Sequence, residues 1–161
     1  MIRAPISNII VAISGSEASV QAAKYSVIMS KLYKCALSAV YVIDSATLSQ
    51  LTMSRIFVAD ESASFEQSLE RNGKRYLAFI SELALSKGVR IETELKRGAV
   101  CDEIIAVAEA KKADLIVLGG WEKDRCAKDI ISHLHREMIV SAKCSVLVAK
   151  EKEIDSMFRQ I

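Results

Sequence analysis

Short apolar runs alternate with longer segments of helical period along this chain, and that alternation restricts the fold more than any other feature. The runs are Ile9 to Ile13, Ala36 to Ile43, Ile91 to Leu95, Leu115 to Leu118 and Val146 to Ala149. They read as five strands buried on both faces. The first intervening segment, Ala18 to Tyr33, places Val20, Ala23, Val27, Ile28 and Leu32 on one stripe behind a Ser16 cap. A longer one, about Ser64 to Ser86, carries Leu69, Tyr76, Leu77, Ile80, Leu83 and Ala84 inward. It ends before Gly88, and Gly73 weakens its early turns. A third runs from Val100 to Lys111 on Ile104, Ile105 and Ala108. A fourth covers Arg125 to Ser141 on Ile130, Ile131, Leu134, Met138 and Ile139.

Repeated β-α units predict right-handed crossovers and a five-stranded parallel sheet, doubly wound and Rossmann-like, with helices on both faces. With no linker or internal repeat, residues 1–161 are expected to form a single domain. Ligands on such sheets collect at the carboxyl ends of the strands, so the loops after Ile13, Ile43 and Leu118 are where a site is sought. The stretch from Asp44 to Ala63 reads as a long loop, a lid or contact element carrying Leu48, Leu51, Met53, Ile56 and Phe57. The tail after Lys150 reads as charged and mobile until Met157 and Phe158, which dock on the domain or on a partner.

Charge excludes some partners. Lys and Arg total 22 against 20 for Asp and Glu, a formal charge of +2, which gives no field to gather nucleic acid or an anionic membrane. No apolar run approaches the roughly 20 residues of a spanning helix, and the start of the chain lacks a signal pattern, so a cytoplasmic location is expected. Cys35, Cys101, Cys126 and Cys144 are scattered and form no Cys-x-x-Cys, which points to reduced thiols rather than to disulfides or zinc. Cys101 is expected near a helix start, where the dipole favours thiolate, but one such site is no case for redox chemistry.

Several segments carry a family resemblance. Asp114-Leu-Ile-Val-Leu-Gly-Gly-Trp121, the closing Ser141-Ala-Lys-Cys-Ser-Val-Leu-Val148, the opening Asn8-Ile-Ile-Val-Ala-Ile-Ser-Gly-Ser-Glu-Ala-Ser19, Val40 to Asp44 and Lys96-Arg97-Gly98 together resemble the universal stress protein family. The resemblance covers nearly the whole chain. It implies a stress-response or regulatory protein. In the family's ATP-binding branch it implies a last loop reading Gly-x-x-Gly, then nine residues, then Gly-Ser or Gly-Thr. Glycines there let backbone N–H groups approach phosphate, beside a helix N-terminus.

Laid on this chain, that pattern puts its glycines at Gly119, Glu122 and Ser132 and its hydroxyl residue at His133, so only Gly119 is kept. The acidic residue that the branch carries after its first strand falls on Ser14. The backbone of Val42 remains available to a base. A carboxylate at Glu122 repels a triphosphate: two unit charges ~4 Å apart at an effective dielectric of about 20 cost ~4 kcal/mol. Lys123, Arg125 and Lys128 read as a solvated loop and helix face.

The expectation is therefore a non-enzymatic protein with no cofactor, not binding ATP in the family's usual way. The alternative is a nucleotide binder, for ATP or AMP, with altered phosphate contacts. Trp121 is expected to fill the cleft. His133 and His135, two apart on a helix, turn to different faces and make no metal pair, one exposed and one partly packed. Ser14-Gly15-Ser16 lacks a nucleophile elbow, and a helix cap accounts for Ser16. The last strand, Ser145 to Lys150, is expected at a sheet edge, where the resemblance implies a homodimer.

Overall fold

The computed structural model describes residues 2–56, 58–120 and 132–161. The elements in chain order are β1 (Asn8–Ile13), α1 (Glu17–Tyr33), β2 (Ala36–Ile43), α2 (Ser45–Met53), α3 (Ala59–Leu85), β3 (Ile91–Arg97), α4 (Val100–Ala110), β4 (Leu115–Gly119), α5 (His133–Ser141), β5 (Ser145–Ala149) and α6 (Ile154–Gln160). All strand pairs are parallel, and the order is β3-β2-β1-β4-β5. The chain therefore winds outward from β1 to one side, crosses back, and continues through β4 to the other. This is the doubly wound architecture expected.

The period-2 alternation of the strands divides the core into two layers. Ile9, Val11 and Ile13 pack with Leu37, Ala39, Tyr41, Ile43 and Val117 under α1, α3 and α6. Ile10, Val40, Ile116 and Leu118 pack on the opposite face under α4 and α5, with Ile104 and Met138. Only the inner strands are buried on both sides. β3 is not: Glu92 and Thr93 are exposed, and the cation of Lys111 pairs with Glu92 and Glu94. β3 is an edge strand, and charge at an edge discourages further pairing.

Three local expectations are corrected. The stretch after Asp44 is helical: Asp44 caps α2 by accepting from Thr47 N–H at 3.1 Å, and α3 begins at Ala59, before the predicted Ser64. Leu48 is buried there, but Met53 and Ile56 are exposed. Gly73 is a packing residue rather than a weak turn. A Cβ built on it would lie 2.6 Å from Tyr41 Cδ1 and 2.9 Å from Leu95 Cδ1, so its bareness lets α3 approach the sheet. The tail is not loose, since α6 buries Ile154 and Phe158 against α1, and Lys24 Nζ meets Asp155 Oδ1 at 2.6 Å. For the fourth helix, α5 begins at His133, and the part from Arg125 to Ile131 lies outside the described residues.

Asp114 ties the chain's start to β4. Its Oδ2 accepts the N–H groups of Ser7 at 2.8 Å and Asn8 at 3.0 Å, and these two bonds hold its carboxyl below the usual carboxylate range. A depressed folded value means that the carboxylate stabilises the fold fully above the unfolded value of about 3.9, and that this contribution is lost as pH falls through the folded one. Asp114→Asn is expected to cost about 1–2 kcal/mol at pH 7, because an amide oxygen accepts these bonds without the negative charge that strengthens them. Thermal unfolding of both proteins between pH 7 and 2 checks this, the difference shrinking once the wild-type carboxyl is protonated.

Candidate functional site

The carboxyl ends of β1, β2 and β4 meet at one end of the sheet, and Ser14, Val42, Gly119 and Ser132 lie there on the strands and helix start that carry them. After β1 the chain turns at Gly15, whose φ of +81° favours glycine. A Cβ at Gly15 would also strike Tyr76 Cε2 at 2.5 Å. Ser14 is exposed, with its Oγ 2.9 Å from Ser16 Oγ. Ser16 accepts the N–H of Ser19 at 3.1 Å, and the Ser19 hydroxyl donates to the Ser16 carbonyl at 2.9 Å, so Ser16 is the cap of α1. The acidic position of the nucleotide-binding pattern is thus an exposed neutral hydroxyl that bonds to the Ser16 cap. Val42 lies one residue from the end of β2, half-buried beside Ala12 on the α4 and α5 face.

Gly119 ends β4 and abuts α1. A Cβ there would sit 2.6 Å from the Ala18 carbonyl carbon and oxygen and 2.9 Å from Ser19 N. These are backbone atoms, so they cannot swing aside, and the crossing of β4 and α1 accounts for this glycine without any ligand. Beyond it, a Cβ on Gly120 would meet Lys150 Cγ at 3.3 Å, which places the start of the C-terminal segment beside the same loop.

Ser132 caps α5, accepting the N–H of His135 at 3.2 Å. His135 then returns to the sheet, its Nε2 2.6 Å from the Gly119 carbonyl oxygen and its Nδ1 hydrogen-bonded to Ser132 Oγ. A carbonyl only accepts, so Nε2 carries the hydrogen, and in the neutral ring the Ser132 hydroxyl donates to Nδ1. Ser132, His135 and Gly119 form a closed clasp between α5 and β4. His133 takes no part in it: its side chain is 92% exposed and faces Glu137 Oε2 at 3.7 Å. The pair thus divides into one exposed and one partly packed histidine, as its spacing predicts.

Glu122 and Trp121 lie outside the described residues, and with them the expectations of anion repulsion and of a filled cleft. The structure does not give Cys101 a favoured thiolate. It is the second residue of α4 but buried, and desolvation, followed by Glu137 and Asp102, pushes its thiol up. Among the described residues no group of three or more His, Cys, Asp or Glu side chains is placed to hold a metal.

Two residues of this end escaped the sequence reading. Spacing gives His135 only as one of a non-metal histidine pair, exposed or partly packed, although a polar ring three residues after a helix cap can reach back to the preceding strand. Tyr76 was assigned to the core stripe of α3, which holds for its stacking on Tyr41, with centroids 6.5 Å apart and planes 15° from parallel. That spacing said nothing of its rim, which roofs Gly15.

Residues 5–150 match the model of the universal stress protein family, whose description is "Universal stress protein family". The chain belongs to this family. A universal stress protein of Methanocaldococcus jannaschii is 30% identical over 89% of this chain and 81% of its own length. Among solved structures, the universal stress protein UspA from Lactobacillus plantarum superposes with a TM-score of 0.75 at 19% identity, covering 92% of this chain and 100% of its own. A universal stress protein family protein from Arabidopsis thaliana with AMP bound superposes with a TM-score of 0.63 at 17% identity, covering 92% and 94%. In this universal stress protein the family's loop glycine at Gly119 is fixed by packing. Gly119→Ala is expected to destabilise by about 2 kcal/mol, in the range of overpacked positions, through contact with the Ala18 backbone. Urea unfolding measures it, and a loss under about 0.5 kcal/mol, the usual surface effect, would show that the junction yields.

Proposed function

We propose that this chain is a non-enzymatic universal stress protein, a stress-response or regulatory component that works in the cytoplasm through protein contacts, pairs with a second copy through β5, and does not hold ATP in the family's usual way. The observation that carries this reading is the Ser132–His135–Gly119 clasp. Phosphate at a helix N-terminus needs free N–H donors and close backbone approach. Here the hydroxyl of Ser132 accepts the N–H of His135, and the His135 ring occupies the Gly119 carbonyl. Ser14 offers no carboxylate, and Glu122 adds a negative charge to the same loop by sequence. Free Cys35, Cys101 and Cys144 fit a reducing compartment. Among the described residues no helix is long and apolar enough to cross a membrane.

Self-pairing is supported by the contrast between the two sheet edges. β3 carries Glu92, Glu94 and Lys96 at its edge, whereas β5 presents Val146, Leu147 and Val148, all half-buried. An apolar edge with unpaired backbone groups is a template for another strand. A second reading, an adenine nucleotide held without the usual phosphate contacts, has one support: the fold is shared with the AMP-bound Arabidopsis protein, and the strand end at Val42 is intact.

Calorimetry with ATP and magnesium, followed by AMP, separates the readings. No heat of binding is expected at micromolar ATP. A stoichiometric micromolar dissociation constant for ATP would overturn the proposal, and one for AMP alone would favour the second reading. Light scattering at micromolar protein is expected to give the mass of two chains, and a monomeric mass would remove the pairing.

A further inference from the structure

Four polar side chains are buried among the described residues, those of Ser19, Ser26, Ser30 and Ser38. Three donate their hydroxyls to backbone carbonyls: Ser19 to Ser16 at 2.9 Å, Ser26 to Ala22 at 2.8 Å and Ser30 to Cys35 at 2.6 Å. Ser38 of β2 is only 7% exposed, yet its hydroxyl bonds to no described group. A hydroxyl sealed in a fold without a partner is costly, and among the described residues no polar atom is sealed in this way. Ser38 escapes that cost because it lines a cavity of about 520 Å³ at the amino end of the sheet.

Strand register produces this cavity. Asn8, Ile10, Ala36, Ser38 and Glu92 alternate with residues of the larger core layer, so they share the face that carries α4. α4 ends at Ala110 and the chain turns away at Lys112, whose φ is +51°, so the helix's cover stops over this row. On β2 the row holds only the small side chains of Ala36 and Ser38. Asn8 and Ile10 stand on one side of them, and Arg90 and Glu92 on the other. The result is a trough along β2. Its walls are held in place: the Asn8 side-chain amide donates to the Lys112 carbonyl at 3.4 Å, and Lys111 pairs with Glu92 and lies 3.2 Å from Glu94 Oε1. Arg90, one residue before β3, is exposed and forms no ion pair among the described residues.

We infer that this trough is a binding site for a small organic monocarboxylate, whose head meets the Arg90 guanidinium and the Ser38 hydroxyl and whose short apolar body lies on Ala36 and Ile10. The groups left unanswered in the trough are both hydrogen-bond donors, one of them a cation, so the ligand must bring an acceptor of negative charge. A planar carboxylate matches the fork of a guanidinium through two parallel bonds. A phosphate dianion fits less well, because Glu92 and Glu94 bring carboxylates to the same rim and Lys111 is already engaged by both. Phosphate would also leave the floor of Ala36 and Ile10 uncovered, whereas a chain of a few carbons removes it from water. This site lies at the amino ends of β1, β2 and β3, opposite the end that holds Ser14 and Gly119, and is independent of the function proposed above.

The test titrates the full isotope-labelled chain with sodium hexanoate to about 10 mM and follows the backbone amide resonances. Saturable shifts are expected at Ala36, Ser38, Ile91 and Glu92, with Ser14, Gly15 and Gly119 unmoved. Arg90→Gln changes an exposed residue and is expected to weaken binding about tenfold or more, as loss of a charge-assisted pair does, and Ser38→Ala about threefold or more. Ala36→Leu, also at an exposed position, fills the trough and is expected to abolish the shifts, which keeps the test decisive if Ser38→Ala does not fold. Hexanol, of the same length without the charge, and inorganic phosphate are each expected to bind about tenfold more weakly than hexanoate. Absence of saturable shifts at this end of the sheet, affinity unchanged in Arg90→Gln or in Ala36→Leu, or hexanol or phosphate binding as tightly as hexanoate would overturn the inference.

Discussion

The close contact of Gly119 with the start of α1 fixes the geometry of the ligand end of this sheet. β1 is the central strand and β4 its neighbour, and their connections leave toward opposite faces. α1 departs from β1 and crosses back over β4, which brings the Ala18 and Ser19 backbone within a Cβ's reach of Gly119. Any side chain at that position would lift β4 or α1. The register of Ile9 to Val11 on Leu115 to Val117, which buries Val11 and Val117 completely, depends on neither element moving. The family's loop glycine therefore answers to packing first, and its survival says nothing about phosphate.

From that junction the outer elements follow by burial. Val11 and Val117 are fully buried because α1 covers one face of the sheet and α4 with α5 the other. Farther out the cover thins, and the two edges handle their exposure differently. β3 meets water with Glu92, Glu94 and Lys96, paired partly to one another and partly to Lys111, while α3 reaches over it from Gly73 and is pinned at Arg97 by Glu66 and Glu70. Each exposed pair is worth little by itself, but together they make the edge a poor template. β5 has no such rim among the described residues. The extra helix α6 adds its apolar residues to α1 rather than to this strand, leaving the apolar edge alongside a groove.

Most of the architecture was legible because strands of inner position are forced to be apolar on both sides, and β1, β2 and β4 are. The reading failed where that forcing relaxes. Ile91 to Leu95 looks like the other runs only if Glu92 and Glu94 are discounted, and those two mark it as an edge. The stretch from Asp44 to Ala63 has the polar mixture of a loop because α2 buries little beyond Leu48, so its helical period was faint, although Asp44 three residues before Thr47 is a cap signal. Gly73 was judged by helix propensity alone, a local property, while its role depends on Tyr41 and Leu95, far away in sequence. At the site, the family resemblance pointed to Ser14, Val42, Gly119 and Ser132, and the structure places them at one end of the sheet. The resemblance could not show that Ser132 turns its hydroxyl to α5 or that His135, rather than His133, reaches the strand.

That last difference bears on what replaced the nucleotide contacts. A glycine at position 132 would leave the first amides of α5 open to an anion, with the helix dipole behind them. A serine there offers its own oxygen to the amide of His135, and such a cap is typically worth about 1 kcal/mol to the fold. The His135 ring adds a bond to the Gly119 carbonyl, so one substitution in the loop pattern is coupled to a second residue outside it. The two reinforce each other, since Ser132 holds the ring by Nδ1 while the ring's Nε2–H holds β4. An anion arriving at this helix start would find the His135 amide already bonded to the Ser132 hydroxyl and would have to displace that cap to use it. The departures from the family pattern at Ser132 and Ser14 thus do more than subtract ligand contacts. At Ser132 a hydroxyl at a helix start has taken up hydrogen bonds that the protein makes to itself, and at Ser14 a hydroxyl bonds to the cap of α1, Ser16.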